Sequence, residues 1–298
     1  MALRTIDVLD LPESNGRVSE WKRFRRVFFA KAAVVVGLVV LLIFFFTAIF
    51  APQLAPYDPY TPVGADSLAQ PSAKHWLGCD LLGRDTFSRV IYGSRTAIEV
   101  GFISVAVGAI IGILLGIIAG YTRGFLSALI MRSMDALMCF PMLILSLVIS
   151  ALLGNGIRNV IIALSIATIP GYARVTNGVT LSIREYDYIL AQKSLGSSDW
   201  RIMLAHILPN AFPPLIVIVT MQLGNLILAE AGLSFLGIGI APPGAAWGSM
   251  INDGRSYLLT NPMLSFAPGL AIMLVVFAFN VVGDGLRDAL DPRLRGLI

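Results

Sequence analysis

The sequence predicts an all-α membrane protein with six transmembrane helices and both termini cytoplasmic. Of its 298 residues, 56% are hydrophobic and 13% charged, whereas an ordinary soluble domain carries about 25% charged residues. Mean hydropathy is +0.79. Several uncharged runs approach the ~20 apolar residues that a helix needs to cross a bilayer. The third observation is charge placement: 16 of the 22 Lys and Arg residues fall in segments that would all lie on one side of a six-span bundle, the bias of short cytoplasmic segments. One ordinary soluble domain is excluded, because so few charges cannot cover so much apolar side chain, and most of that surface must face lipid.

Residues 1–31 form a cytoplasmic tail that ends in Lys22-Arg23-Phe24-Arg25-Arg26. Beside a span, this cluster reads as an anchor at anionic headgroups rather than a nucleic-acid patch. Residues 32–51 are the first span. The run begins near residue 30 and is followed by Pro52 without an A-x-A pattern, so it is retained rather than cleaved. The remaining spans are expected at 100–122, 134–153 (through Phe140-Pro141), 160–175, 212–228 and 264–282. Five of the six belong to a core domain, 96–285, and a cytoplasmic tail follows at 286–298. Two cysteines, Cys79 outside and Cys139 near the inner end of the third span, offer neither a disulfide nor a convincing metal site.

Residues 52–95 form an extracytoplasmic segment that opens with repeated Pro, Asp and Gly and then acquires helical spacing. Phe87, Val90 and Ile91 share one side of a short interfacial helix, with Arg84, Ser88 and Arg95 turned to the interface. His75, Cys79, Asp80 and Asp85 have permissive chemistry but no recognisable ligand spacing, so no metal is expected. Asp80, Arg84 and Asp85 read instead as a paired loop and helix start. Glu99 and Asp135 are expected near span ends.

The stretch 184–210, REYDYILAQKSLGSSDWRIMLAHILPN, is a large cytoplasmic loop that predicts two short helices separated by a turn. Leu190, Ala191 and Leu195 supply an apolar side to the first. Gly196 closes it in the left-handed conformation, Ser197 or Ser198 caps the next, and Pro209 limits or kinks that one. Such a helical knob either docks in a groove of a cytoplasmic protein, moving spans four and five, or is an ordinary surface elbow.

This segment resembles the coupling loop of ATP-binding-cassette importer permeases. Leu190-Ala191-Gln192 occupies the Glu-Ala-Ala position, Gly196 the glycine and Leu208-Pro209 the terminal pair. Leu190, Gln192 and His206 depart from that pattern. Further motifs resemble the C-type subunit of the dipeptide/oligopeptide/nickel group. They are His75-Trp76-Leu77-Gly78-Cys79-Asp80 with Leu82-Gly83-Arg84-Asp85, the stretch 229–237 followed by Pro242-Pro243 and Trp247-Gly248, and Asp284 with Leu286-Arg287-Asp288 and Asp291-Pro292-Arg293.

The resemblance implies the importer permease fold in a bacterial inner membrane. It also implies a second permease subunit, two cytoplasmic ATP-binding subunits that hold ATP and Mg, and an extracytoplasmic solute-binding protein. Membrane lipid is a further partner and nucleic acid is not. The implied cargo is di- or oligopeptide, with nickel or a metal chelate as the alternative. The coupling residues would be Arg184, Tyr188, Ala191, Gly196, Asp199, Leu208 and Pro209, and the extracytoplasmic motif His75, Trp76, Gly78, Asp80, Gly83, Arg84 and Asp85.

An outer turn or gate would comprise Glu230, Gly232, Ser234, Phe235 and Gly237. Residues 232–248 are expected as a shielded re-entrant stretch, either a gate or a seal. Gly108, Gly112, Gly116 and Gly120 form one stripe along the second span, which serves helix packing or a smooth pathway wall. The sequence contains no GxxxxGK[ST] phosphate loop, so no catalytic residue or cofactor is expected in this chain. Few ionisable residues lie within the spans, which disfavours a proton-coupled transporter, and a non-transporting scaffold leaves the 184–210 pattern unexplained.

Overall fold

The computed structural model describes residues 20–240 and 243–290, which contain no strand beyond an isolated bridge between Cys79 and Asp85. Helices α1 (Glu20–Phe28), α2 (Ala32–Ile49) and α3 (Ala51–Leu54) lead through a loop to α4 (Thr86–Tyr121). Then come α5 (Phe125–Met138), α6 (Met142–Leu153), α7 (Ile157–Ile183), α8 (Asp187–Ser194) and α9 (Asp199–Arg201). A π-helical stretch at Ile202–Ile207 joins α9 to α10 (Leu208–Phe235), followed by α11 (Trp247–Gly254) and α12 (Met263–Leu290). Arg4, Arg17, Pro242, Asp291, Pro292, Arg293 and Arg295 lie outside the described residues.

Among the described residues, five helical runs are long and apolar enough to cross a membrane, and a bent pair makes a sixth if it counts as one span. The third expected span, 134–153, is that pair rather than a single helix. The axis turns by 89° between α5 and α6, because Pro141 lacks a donor and biases the residue before it away from helix. The fourth span is longer than expected, 157–183, and the fifth forms a continuous run from Asp199 to Phe235. Pro170, Pro213, Pro214 and Pro268 lie inside helices, where packed neighbours limit the cost of interruption.

The expected interfacial helix is instead the first turns of α4. Asp85 caps it, accepting from Ser88 N at 2.8 Å. Arg84 and Ser88 are buried, contrary to their expected place at the interface, while Arg95 is exposed. The reason is that the loop 56–85 folds over this end of the helix and supplies polar partners there. Glu99 is exposed part-way along α4, not at its end, and Asp135 pairs with Arg174.

The glycine stripe is a packing seam. A Cβ on Gly108 would lie 2.3 Å from Thr168 Oγ1, one on Gly112 2.7 Å from Ile169 O, and one on Gly116 2.5 Å from Ala173 O. Gly120 meets Thr180 in the same way. Without side chains on this face, α4 and α7 approach to backbone contact over four turns. A second core joins α2, α4, α10 and α12 around Phe44, Val100, Ile227 and Phe279. Lys31 and Asp288, 2.6 Å apart, tie the start of α2 to the end of α12. Asp288 favours the charged ammonium and raises the Lys31 pKa above its ordinary value.

Candidate functional site

The segment 184–210 folds as two short helices about a turn. Gly196 has φ +77°, a conformation that strains any residue with a Cβ. Ser198 occupies the N-cap position of α9 without a side-chain capping bond, and Ser197 Oγ donates to Gln192 Oε1 at 2.8 Å instead. Pro209 does not end this run, which continues from Asp199 to Phe235. It sits in the first turn of α10, where its missing N–H costs little, directly after the π-helical turn in which Leu208 N reaches back to Met203 O.

The apolar side of α8 is not the one expected. Ile189 is fully buried and packs with Ile202 and Ile207, together with Ile117 and Ile183 at the ends of α4 and α7. Ala191 is exposed, as are Leu190 and Leu195. With Tyr186, Tyr188 and Trp200 they leave an apolar crown on the outer side of the knob. Its own partial desolvation, with a smaller contribution from nearby Tyr186, raises the Tyr188 phenol above its usual range.

The knob is held to α4 as well as to α7 and α10. Tyr121, the last residue of α4, donates its hydroxyl to Asp199 Oδ1 at 2.6 Å. The Lys193 ammonium lies 4.7 Å from the centroid of the same ring. Arg184 Nη1 donates to Gly120 O at 2.7 Å. Sequence reasoning missed Tyr121, since a Tyr at a span end is indistinguishable from an interfacial belt residue.

At the opposite end of α4, the motif residues of 75–85 assemble into one polar cluster. Asp80 accepts from Arg84 Nε at 2.7 Å and from Leu82 N and Arg84 N at 2.9 Å each. Asp85 divides its oxygens: Oδ1 lies 2.9 Å from His75 Nδ1, and Oδ2 takes Ser88 N and Ser88 Oγ. Gly78 and Gly83 have positive φ, and each is pressed against backbone, Gly78 on Ala69 O and Gly83 on Val63 O. Trp76 projects outward, 61% exposed.

The fold brings His75, Cys79 and Asp85 donor atoms within 4.8 Å of one another, a proximity their spacing did not signal. The capping bonds account for Asp85. Cys79 is fully buried, and burial together with the Asp85, Asp66 and Asp80 carboxylates pushes its thiol up to about 11.

The outer turn is largely helical. Glu230, Gly232, Ser234 and Phe235 lie in the last turns of α10, so the expected re-entrant stretch starts only at Leu236, where Gly237 reverses the chain at φ +79°. Glu230 is buried and accepts from Ser234 Oγ at 2.7 Å, and Ser234 Oγ in turn accepts from Ile240 N. Hydrogen bonds then tie the connection, and the 56–85 loop through Pro59, to α4. Arg89 donates to Pro59 O and Gly244 O, Thr96 Oγ1 to Ala245 O at 2.8 Å, and Trp247 Nε1 to Val90 O at 2.9 Å. This network packs the connection against α4.

Residues 112–296 match the family described as binding-protein-dependent transport system inner membrane component. Residues 19–71 match the N-terminal TM domain of oligopeptide transport permease C. The glutathione transport system permease protein GsiD of Shigella sonnei is 46% identical over 277 residues, covering 93% of this chain and 90% of its own. GsiD of Pectobacterium atrosepticum is 44% identical over 276 residues, covering 92% and 90%. Among solved structures, an inward-facing conformation of the MetNI methionine ABC transporter has a TM-score of 0.57 at 19% identity, covering 69% of this chain and 97% of that one. At that identity the likeness is one of fold.

Proposed function

The chain belongs to the binding-protein-dependent transport system inner membrane component family and is a permease subunit of an ABC importer in the bacterial inner membrane, and from that premise we propose that its cargo is short peptides. The observation that carries this reading is the 46% identity to a glutathione transport permease across nearly the whole chain. It favours a peptide-like solute over a nickel chelate.

In this reading the chain lines the pathway with a second permease subunit. Two cytoplasmic ATPase subunits bind ATP and Mg, and an extracytoplasmic solute-binding protein delivers the peptide. Residues 184–210 face the ATPases. The exposed Tyr188, Leu190, Leu195 and Trp200 suit an apolar groove on such a partner, while Ile189 and Ile202 fix the knob to the bundle. Rigid movement of the knob is passed to α7 and α10 by chain continuity and to α4 by Tyr121 and Arg184. The outer connection, held through Arg89, Thr96 and Trp247, seals the far end while the inner end moves. No group of this chain reacts chemically in this scheme.

ATP-dependent uptake by the reconstituted complex tests the reading, comparing glutathione, dipeptides, longer peptides and chelated nickel. Peptide uptake that needs the solute-binding protein is the expected result. Nickel uptake without peptide uptake would overturn the cargo assignment.

A further inference from the structure

Beside the outer half of α4 lies an open apolar groove of about 500 Å³ between α2, α4 and α12, within the roughly 300–1,000 Å³ typical of small-ligand sites. Ile43 and Phe46 of α2, Val90 of α4 and Leu274 and Val275 of α12 form its walls. Ile43, Phe46 and Leu274 are each at least 40% exposed, so the groove opens toward the hydrocarbon layer on helices that span it.

At its outer end the groove meets a second cavity of about 180 Å³, and Trp76 and Phe87 line both. The second cavity is mixed, with Tyr57, Lys74 and Asp85 beside Pro56 and Ala73. Lys74, which lines it, has its Nζ 2.9 Å from Oδ2 of Asp66, a residue outside the lining. Lys74 remains 60% exposed, with donors free for a second acceptor.

We infer that this paired cavity is a binding site for one zwitterionic phospholipid, its acyl chain in the groove and its headgroup at the Lys74–Asp66 pair. The site has the polarity sequence of a phospholipid: apolar along the membrane normal, an aromatic junction at Trp76 and Phe87, then charge. Tryptophan at that junction belongs at headgroup level. Adjacent opposite charges at Lys74 and Asp66 complement a headgroup that carries both a phosphate and an ammonium, whereas an anionic headgroup that takes Lys74 would offer Asp66 no cation in return. The occupant would cement α2 to the bundle. That role is independent of the cargo and of the solute-binding protein.

Native mass spectrometry of the complete complex, released from bacterial membranes in mild detergent, reads the site directly. The wild-type complex is expected to retain phosphatidylethanolamine in preference to phosphatidylglycerol after delipidation and competitive re-addition. Leu274→Trp, which fills the groove, and Lys74→Glu, which removes the phosphate contact, are each expected to lower that retention several-fold. Equal retention of the two lipids by wild-type complex overturns the proposal, as does undiminished retention in Leu274→Trp. Side chains of the second permease subunit occupying the groove in a structure of the complex would also overturn it. Because the wild-type competition needs no variant, a failure of either variant to fold leaves the test intact.

Discussion

Tyr121 Oη lies 2.6 Å from Asp199 Oδ1, joining the last residue of α4 to the first residue of α9 across 78 positions of sequence. A hydrogen bond to a charged group contributes about 1.5–3 kcal/mol. In the proposed coupling scheme the contact adds α4 to the helices moved by the 184–210 knob, alongside α7 and α10. Tyr121→Phe keeps the ring under Lys193 and removes only the hydroxyl. In proteoliposomes it should lower peptide uptake several-fold while ATP hydrolysis continues, so that more ATP is consumed per solute. Asp199→Asn retains an acceptor and should be milder than Asp199→Ala. An unchanged ratio of hydrolysis to uptake in Tyr121→Phe would remove α4 from the coupling route.

Gly196 has open space where a Cβ would stand, so substitution there acts through backbone strain alone. Its φ of +77° costs a residue with a Cβ about 1–2 kcal/mol. Asn should be tolerated better than Val. Gly196→Pro, whose ring forbids that φ, should abolish uptake in complexes that still assemble. Full uptake with proline would mean the turn geometry is dispensable.

The seam between α4 and α7 gives a paired test. Gly112→Val and Gly116→Val place side chains into backbone at 2.7 Å and 2.5 Å and should destabilise the chain by about 1–3 kcal/mol. Gly171 and Gly178 of α7 have nothing within 4 Å of a Cβ. Alanine at those two positions should stabilise by about 0.5–1 kcal/mol through helix propensity. Thermal unfolding of the isolated subunit in detergent separates the two groups.

Cys79 should resist alkylation at neutral pH while exposed Cys139 reacts, since burial and three nearby carboxylates push the Cys79 thiol up to about 11. The folded pKa lies above the unfolded value near 8.5. The protonated thiol therefore contributes stability that is complete below about pH 8.5 and lost as pH rises toward about 11. Subtracting the alkaline profile of Cys79→Ser from that of the wild type should isolate this decline. Parallel profiles would show that Cys79 does not titrate there.

Replacing Asp85 should be more damaging than loss of an ordinary cap. Its side chain holds Ser88 N, Ser88 Oγ and His75 Nδ1 together. Asp85→Ala loses about 0.5–2 kcal/mol of capping and strands a buried imidazole nitrogen at a further ~1–3 kcal/mol. Asp85→Asn should retain part of both. The midpoint of thermal unfolding orders the three proteins.

Much of the candidate site was legible because its signals are local. Gly196 announced a left-handed turn, Asp85 a helix start, and four glycines at intervals of four a close approach. The buried face of α8 was not legible. Leu190, Ala191 and Leu195 are as apolar as Ile189, and only the position of Ile202 and Ile207 decides which of them is covered. The same holds for Trp247 and Arg89, whose partners Val90 O and Gly244 O are carbonyls that any residue could have supplied.

By itself the sequence determined a helical, lipid-facing chain with several spans and a turn at Gly196, because hydropathy, charge scarcity and backbone permissiveness are properties of residues and their near neighbours. Tertiary structure alone decided that α4 runs 36 residues from the polar cluster to the knob, and that Tyr121 meets Asp199. Those outcomes depend on which surfaces of distant helices share space. Apolar runs are compatible with many such arrangements, and the choice among them rests on steric fit at the glycine seam and on hydrogen bonds between segments far apart in the chain.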